Sequence, residues 1–170
     1  MSNNYNGLSF NQEEIDKFKK GVNNCYTYAI NQPINPFTNT IYDSWVKCQP
    51  GNLGGMGIDK GNLVRASKKS IVLARKDLKK LGYELLKTTY KKQIKSNKEC
   101  WKVAFCYTNN DYHWYRQNLD GTWSHKRGLY GKVLNVDEDK NIIYNPEICN
   151  RGDYVNFVGF YIIKKKEQVA

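Results

Sequence analysis

The residues of this chain whose type and setting best suit nucleophilic or acid–base work near neutral pH are Cys25, His113 and His125. His113 and His125 are its only histidines, and imidazole is the group that takes and gives a proton in that range. Both lie in the stretch 111–128, which alternates like a strand on each side of Asp120-Gly121. That dipeptide favours a tight hairpin. With a two-residue turn there, Leu119 faces Thr122 and His125 faces Arg116. His113 then lies about three residues further along the ladder, roughly 10 Å by strand rise, unless a longer turn, a bulge or twist closes the distance.

Cys25 follows Asn23-Asn24. Asparagine is a good N-cap, so a short helix is expected to start at either asparagine, with Cys25 in its first turn. There the dipole and unpaired N–H groups favour an anion and lower a thiol's pKa. A cysteine at a helix start against an imidazole on a strand makes a nucleophile at neutral pH. A third polar group fixes the imidazole tautomer. The competing reading is structural: Cys25 as a small buried hydrophobe, His113 as a packed ring among Tyr112, Trp114 and Tyr115, and His125 as an exposed hairpin residue.

The elements that must position these residues can be read in order. Residues 11–20 suit a short helix capped by Asn11 and ended by Gly21. Pro33 and Pro36 close the Cys25 helix, and the Gly- and Pro-rich stretch 33–62 reads as a long loop. Residues 62–81 read as the clearest helix, with Val64, Ile71, Ala74, Leu78 and Leu81 on one face and Gly82 closing it. Strands are expected at 83–88, 100–108, in both hairpin arms, at 133–136 and 141–144, and at 154–163. Helices before hairpin-linked strands imply an α+β fold with a mostly antiparallel sheet. The expected division is a leader and short helix at 1–22, one domain at 23–163, and a basic tail at 164–170.

Composition narrows the classes. The chain has 170 residues, a net charge of +11 and 40% hydrophobic residues, enough for one domain with a core. No stretch approaches the ~20 apolar residues of a membrane span, and no secretory pattern opens the chain. Cys25, Cys48, Cys100, Cys106 and Cys149 form no CxxC pair, so neither a disulfide framework nor a zinc ribbon is expected. A reducing, cytoplasmic setting, in a bacterium or a host cell, is expected, with secretion left open. The histidines lack zinc spacing, and Asp137-Glu138-Asp139 reads as a turn rather than a calcium loop, so no metal or cofactor is expected. The lysines over 60–102 and at 164–166 read chiefly as a solvated face. The rival function is a catalytically silent binding module. In it Trp114, Tyr115, Arg116 and Trp123 stack bases or sugars while lysines track a nucleic-acid backbone, or the same surface takes a protein partner.

Several segments together carry a resemblance. They are Asn24-Cys25-Tyr26-Thr27-Tyr28-Ala29, Pro50-Gly51, Asp111-Tyr112-His113-Trp114-Tyr115-Arg116-Gln117, Gly121-Thr122-Trp123-Ser124-His125-Lys126 and Asn135-Val136-Asp137. The set resembles a group of small bacterial and phage-associated proteins. In outline it is similar to the papain-like superfamily, near its NlpC-type and CHAP-type amidase branches. The resemblance implies N-terminal helices packed on the sheet, with Cys25 as nucleophile, His113 as base and His125 as orienting residue. Asn135 and Asp137 are alternatives for the third role. It implies an oxyanion held by the Cys25 N–H with Asn24 or Asn23, and a groove that includes Tyr26, Trp114 and Trp123. The implied activity is thiol-dependent hydrolysis of an amide, isopeptide or related acyl bond in a peptide, protein or peptidoglycan-like substrate. Deamidation and acyl transfer share such a site.

Overall fold

The computed structural model describes residues 8, 10–43, 47–56 and 63–168. Helices come first: α1 (Gln12–Lys17), α2 (Cys25–Ala29) and α3 (Lys69–Lys80). Strands follow: β1 (Tyr83–Thr88), β2 (Cys100–Tyr107), β3 (Tyr112–Gln117), β4 (Trp123–Lys126), β5 (Val133–Leu134) and β6 (Asn156–Lys165). They form one sheet in the order β1-β6-β2-β3-β4-β5 with antiparallel pairings. The fold is α+β, as helices followed by hairpin-linked strands imply. Lys164 and Lys165 pair with Glu84 and Tyr83, so the expected basic tail begins inside the sheet. The Val133–Val136 and 141–144 pair shrinks to β5 and the isolated bridges Val136–Ile142 and Trp123–Ile143.

The helix α2 is too short to persist alone, because nucleation costs more than one turn returns. Its ends are held from outside instead. Asn24 Oδ1 accepts the Thr27 N–H at 2.9 Å, and Thr27 Oγ1 accepts the Asn24 N–H at 3.0 Å, a reciprocal capping box. Asn24 Nδ2 donates to the Cys48 carbonyl at 2.7 Å. At the other end, Trp101 Nε1 donates to the Ala29 carbonyl and Arg116 Nη1 to the Tyr28 carbonyl, at 2.8 and 3.1 Å. These satisfy carbonyls that a helix end leaves open. The Tyr28 hydroxyl meets Ser124 Oγ at 2.6 Å, which ties α2 to β4. All five residues of α2 are buried, and they sit against one face of the sheet with α3.

The third helix starts later than its periodicity implies. Ile71, Ala74 and Leu78 face the core as expected, but Val64 lies outside the helix and is exposed. The cause is Arg65. It is buried, donates from Nε to the Pro50 carbonyl at 2.7 Å, and its own carbonyl accepts from Ser70 Oγ. Those bonds fold 65–68 into turns instead of a helical repeat. Gly82 closes α3 with a φ of +86°, the left-handed geometry a C′ glycine supplies. Residue 62, the expected helix start, lies outside the described residues.

A buried carboxylate fastens the loop 50–54 to both helices. Asp77 accepts from the Tyr26 hydroxyl at 2.6 Å, the Gly51 N–H at 2.8 Å and the Gly54 N–H at 2.5 Å. Asp77→Ala strands these three donors in the core and is expected to cost about 2–4 kcal/mol. Urea unfolding measures it. A loss below about 0.5 kcal/mol would mean that the loop is held by other contacts.

Candidate active site

The hairpin between β3 and β4 is longer than Asp120-Gly121 alone requires. Arg116 pairs with Ser124 and Gln117 with Trp123, and the Asn118 N–H donates to the Thr122 carbonyl at 2.7 Å. The loop is thus Leu119-Asp120-Gly121, and Gly121 takes the left-handed φ of +88° that a three-residue hairpin places there. The expected two-residue turn is corrected by one residue. A one-residue slip turns a whole arm over. In the observed register His125 lies beside Tyr115, ring centroids 4.9 Å apart, on the face that also carries His113. The expected register would have opposed it to Arg116, whose side chain points to the helices. The histidines are now diagonal neighbours, within reach of ring side chains, and His113 Nε2 meets His125 Nδ1 at 2.7 Å.

The direction of that bond follows from the next one. His125 Nε2 lies 3.0 Å from the Val136 carbonyl oxygen, which can only accept. In a neutral ring Nε2 then carries the proton and Nδ1 is the acceptor, so His113 Nε2 donates to it. This hydrogen-bond assignment leaves the lone pair of His113 on its Nδ1. Both rings are neutral at neutral pH. Burial holds the His113 pKa well below the usual imidazole value, with His125 and Arg127 adding to the effect. Burial also lowers His125, against the Val136 carbonyl that raises it. The Tyr154 ring stacks on His113 at 4.9 Å, and the Tyr154 hydroxyl donates to Asp111 at 2.8 Å. The pair opens into a cavity of about 200 Å³ lined also by Arg127, Glu138 and Arg151.

Cys25 sits where the capped helix start puts it, but its chemistry differs from expectation. The sulfur rests against β3, 3.9 Å from the Tyr112 carbonyl, and the N–H groups of Trp114 and Tyr26 point at it. Those N–H groups favour the thiolate, yet burial outweighs them and pushes the thiol up to about 12. The expected lowered pKa is therefore corrected: only 5% of Cys25 is exposed, and a one-turn helix does not offset lost water. Nor does the fold hydrogen-bond Cys25 to His113. Cys25 packs with Tyr112 and Trp114, whereas His113 projects with Cys106 and Tyr115 to the opposite side of β3. Thiol and imidazole flank the same segment, Tyr112 to Trp114, from its two sides.

The remaining expected residues have other duties. Asn24 uses its oxygen on Thr27 and its amide on Cys48, and Asn23 Nδ2 donates to the Lys20 and Pro33 carbonyls. Both N–H groups of the Asn23 amide are thus engaged, and Asn24 commits one of its two to Cys48. No hydrogen bond engages the Cys25 N–H among the described residues. Asp137 accepts from the N–H groups of Asp139, Asn141 and Asn150, organising its own loop. Asn135 lines a separate cavity with Asn118. His125 alone of the third-residue candidates touches His113. Tyr26, Trp114 and Trp123 are fully buried, so they form core rather than groove. Tyr154 and the Val136 carbonyl escaped sequence reasoning. A main-chain oxygen leaves no side-chain signal, and Tyr154 reaches His113 only through the fold.

No protein-family model matches the chain, and no solved structure matches it. It is similar to Insoluble matrix shell protein 1 of Ruditapes philippinarum, 26% identical over 153 residues that cover 86% of this chain and 83% of that protein.

The depressed histidine pKa values set a pH dependence. Between the unfolded value of about 6.5 and the lower folded values, the unfolded chain binds more protons, so stability falls as pH falls. Urea unfolding at about pH 7.5 and about pH 5.5 is expected to show that loss, reduced in His113→Gln. An equal loss in the variant would assign the dependence to other groups.

Proposed function

We propose that the protein is a thiol-dependent hydrolase of papain-like type that acts on an amide, isopeptide or related acyl bond. His113 is its base and Cys25 its nucleophile. The observation that carries this role is the directed chain from His113 through His125 to the Val136 carbonyl. It leaves the Nδ1 lone pair open on a residue whose strand backbone, on the side away from the ring, holds the Cys25 sulfur. Because thiol and imidazole are both neutral at rest, the reaction starts as general-base catalysis rather than from a preformed ion pair. Because Cys25 and His113 lie on opposite sides of β3, this reading requires the segment 112–114 to rearrange on substrate binding so that the ring reaches the sulfur. His113 Nδ1 takes the thiol proton as sulfur adds to the carbonyl carbon. The Cys25 N–H faces the resulting oxyanion. The intermediate collapses to a thioester as the amine leaves with that proton, and water activated by His113 releases the acid. His125 holds the ring throughout and shares the imidazolium charge.

A second reading, a catalytically silent binding module, is favoured by one observation: the thiol is buried and protonated. The related chain carries the name of an insoluble matrix shell protein, and a matrix role needs binding surfaces without turnover.

Alkylation of Cys25 by iodoacetamide separates the two, with peptide mass spectrometry to distinguish it from Cys48, Cys100, Cys106 and Cys149. A hydrolase is expected to label at a rate that levels off by about pH 7, as His113 becomes fully basic. His113→Ala is expected to lower that rate by about a hundredfold. Labelling that instead keeps climbing with pH toward a thiol pKa of about 12, unchanged by His113→Ala, would remove the hydrolase and leave the module.

A further inference from the structure

Among the described residues two lysines are buried, and they differ in one respect. Lys102, 1% exposed, points all three ammonium N–H groups at carbonyls: Thr89 at 2.9 Å, Tyr90 at 3.1 Å and Lys92 at 3.0 Å. Its donors are exhausted. Lys126, 5% exposed, donates to only two, Gly128 at 2.9 Å and Leu129 at 3.0 Å. No third acceptor lies within hydrogen-bonding distance among the described residues, and no carboxylate pairs with it. What it meets instead is space. Lys126 lines a groove of about 540 Å³ between α1 and the segment 129–133.

The groove has a consistent chemistry. Ile15, Phe18 and Val133 supply apolar wall, Lys132 and the Asp16-paired Lys19 add two further cations, and no Asp or Glu lines it. Its volume lies within the roughly 300–1,000 Å³ of small-molecule sites. A buried ammonium lacking a counter-charge carries a desolvation cost that an anionic partner offsets. An apolar wall rewards a ligand that buries carbon there, at about 25 cal/mol per Å². The two requirements meet in one class of molecule.

We propose that this groove binds an apolar monocarboxylate, with the carboxylate on the third N–H of Lys126 and the hydrocarbon body against Ile15, Phe18 and Val133. The site stands apart from the histidine cavity, which opens on the other face of the sheet. Its occupancy therefore does not involve the His113–His125 pair.

Calorimetric titration of the full chain with decanoate, kept below its micellar concentration, tests the site. One saturable site is expected, with decanol, which keeps the chain and loses the charge, at least about tenfold weaker. Lys126→Met is expected to weaken decanoate by about tenfold or more. Ile15→Glu leaves Lys126 in place but sets a carboxylate in the wall of a half-buried position, and is expected to do the same. Circular dichroism confirms that each variant is folded. Absence of saturable binding, equal affinity for decanol, or undiminished binding in both folded variants would each overturn the proposal.

Discussion

The pairing of Arg116 with Ser124 and Gln117 with Trp123 is the constraint on which the site depends. Because side chains alternate along a strand, this register decides which residues of β4 share a face with which residues of β3. It sends Ser124 and Lys126 toward the helices, where Ser124 meets Tyr28. It sends Trp123 and His125 the other way, where His125 meets His113. The short helix α2 and the histidine pair are thus secured by alternate residues of one four-residue strand. Gly121, free to take a positive φ, is what lets the loop close with three residues.

Placing the thiol shows two familiar effects in competition. A helix N-terminus favours an anion by about 0.3–1 kcal/mol, less than a tenfold change in ionisation. Removal from water opposes the anion far more strongly in a fully packed position. At Cys25 both are present, together with N–H groups from Trp114 and Tyr26, and removal from water prevails. At His113 there is no such competition: burial, His125 and Arg127 all oppose the cation, and the neutral form is favoured. Two neutral partners on either side of one strand make a resting state in which neither is ionised. A reaction there has to be started by something that alters the packing between them.

Much of this was legible from residue types with local consequences. Asn24 as cap, Cys25 in the first turn, Gly82 at the end of α3 and the apolar run of β2 follow from capping, left-handed glycine and β-propensity, which act within a few residues. The α+β class followed from element order. What escaped depends on contacts made at a distance. Arg65 shortens α3 because Pro50 lies next to it in space. Tyr26, Trp114 and Trp123 look like amphipathic groove residues until the sheet closes over them. The histidine pair was legible as a pair, but its face turned on a single residue of loop length that Asp120-Gly121 does not specify by itself.

The basic balance of the chain acquires a different meaning once burial is known. Of its surplus positive residues, Arg65, Lys102, Arg116 and Lys126 are inside the protein. Main-chain carbonyls accept from all four: Pro50 for Arg65, Tyr28 for Arg116, and the loop carbonyls for the two lysines. Arg116 also stacks its guanidinium 3.9 Å from the Tyr28 ring centroid, a contact worth more when water is excluded. A carbonyl neutralises no charge, so these cations add to the formal +11 without adding to an outward-facing basic surface. Meanwhile lysines 69, 76, 79 and 80 on α3 are exposed along its outer side, as a solvated helix face requires. Charge counted along the chain therefore overstates the attraction this surface has for an anionic polymer. It understates the need, inside the fold, for an anion at Lys126, the buried ammonium among the described residues whose donors are not all used.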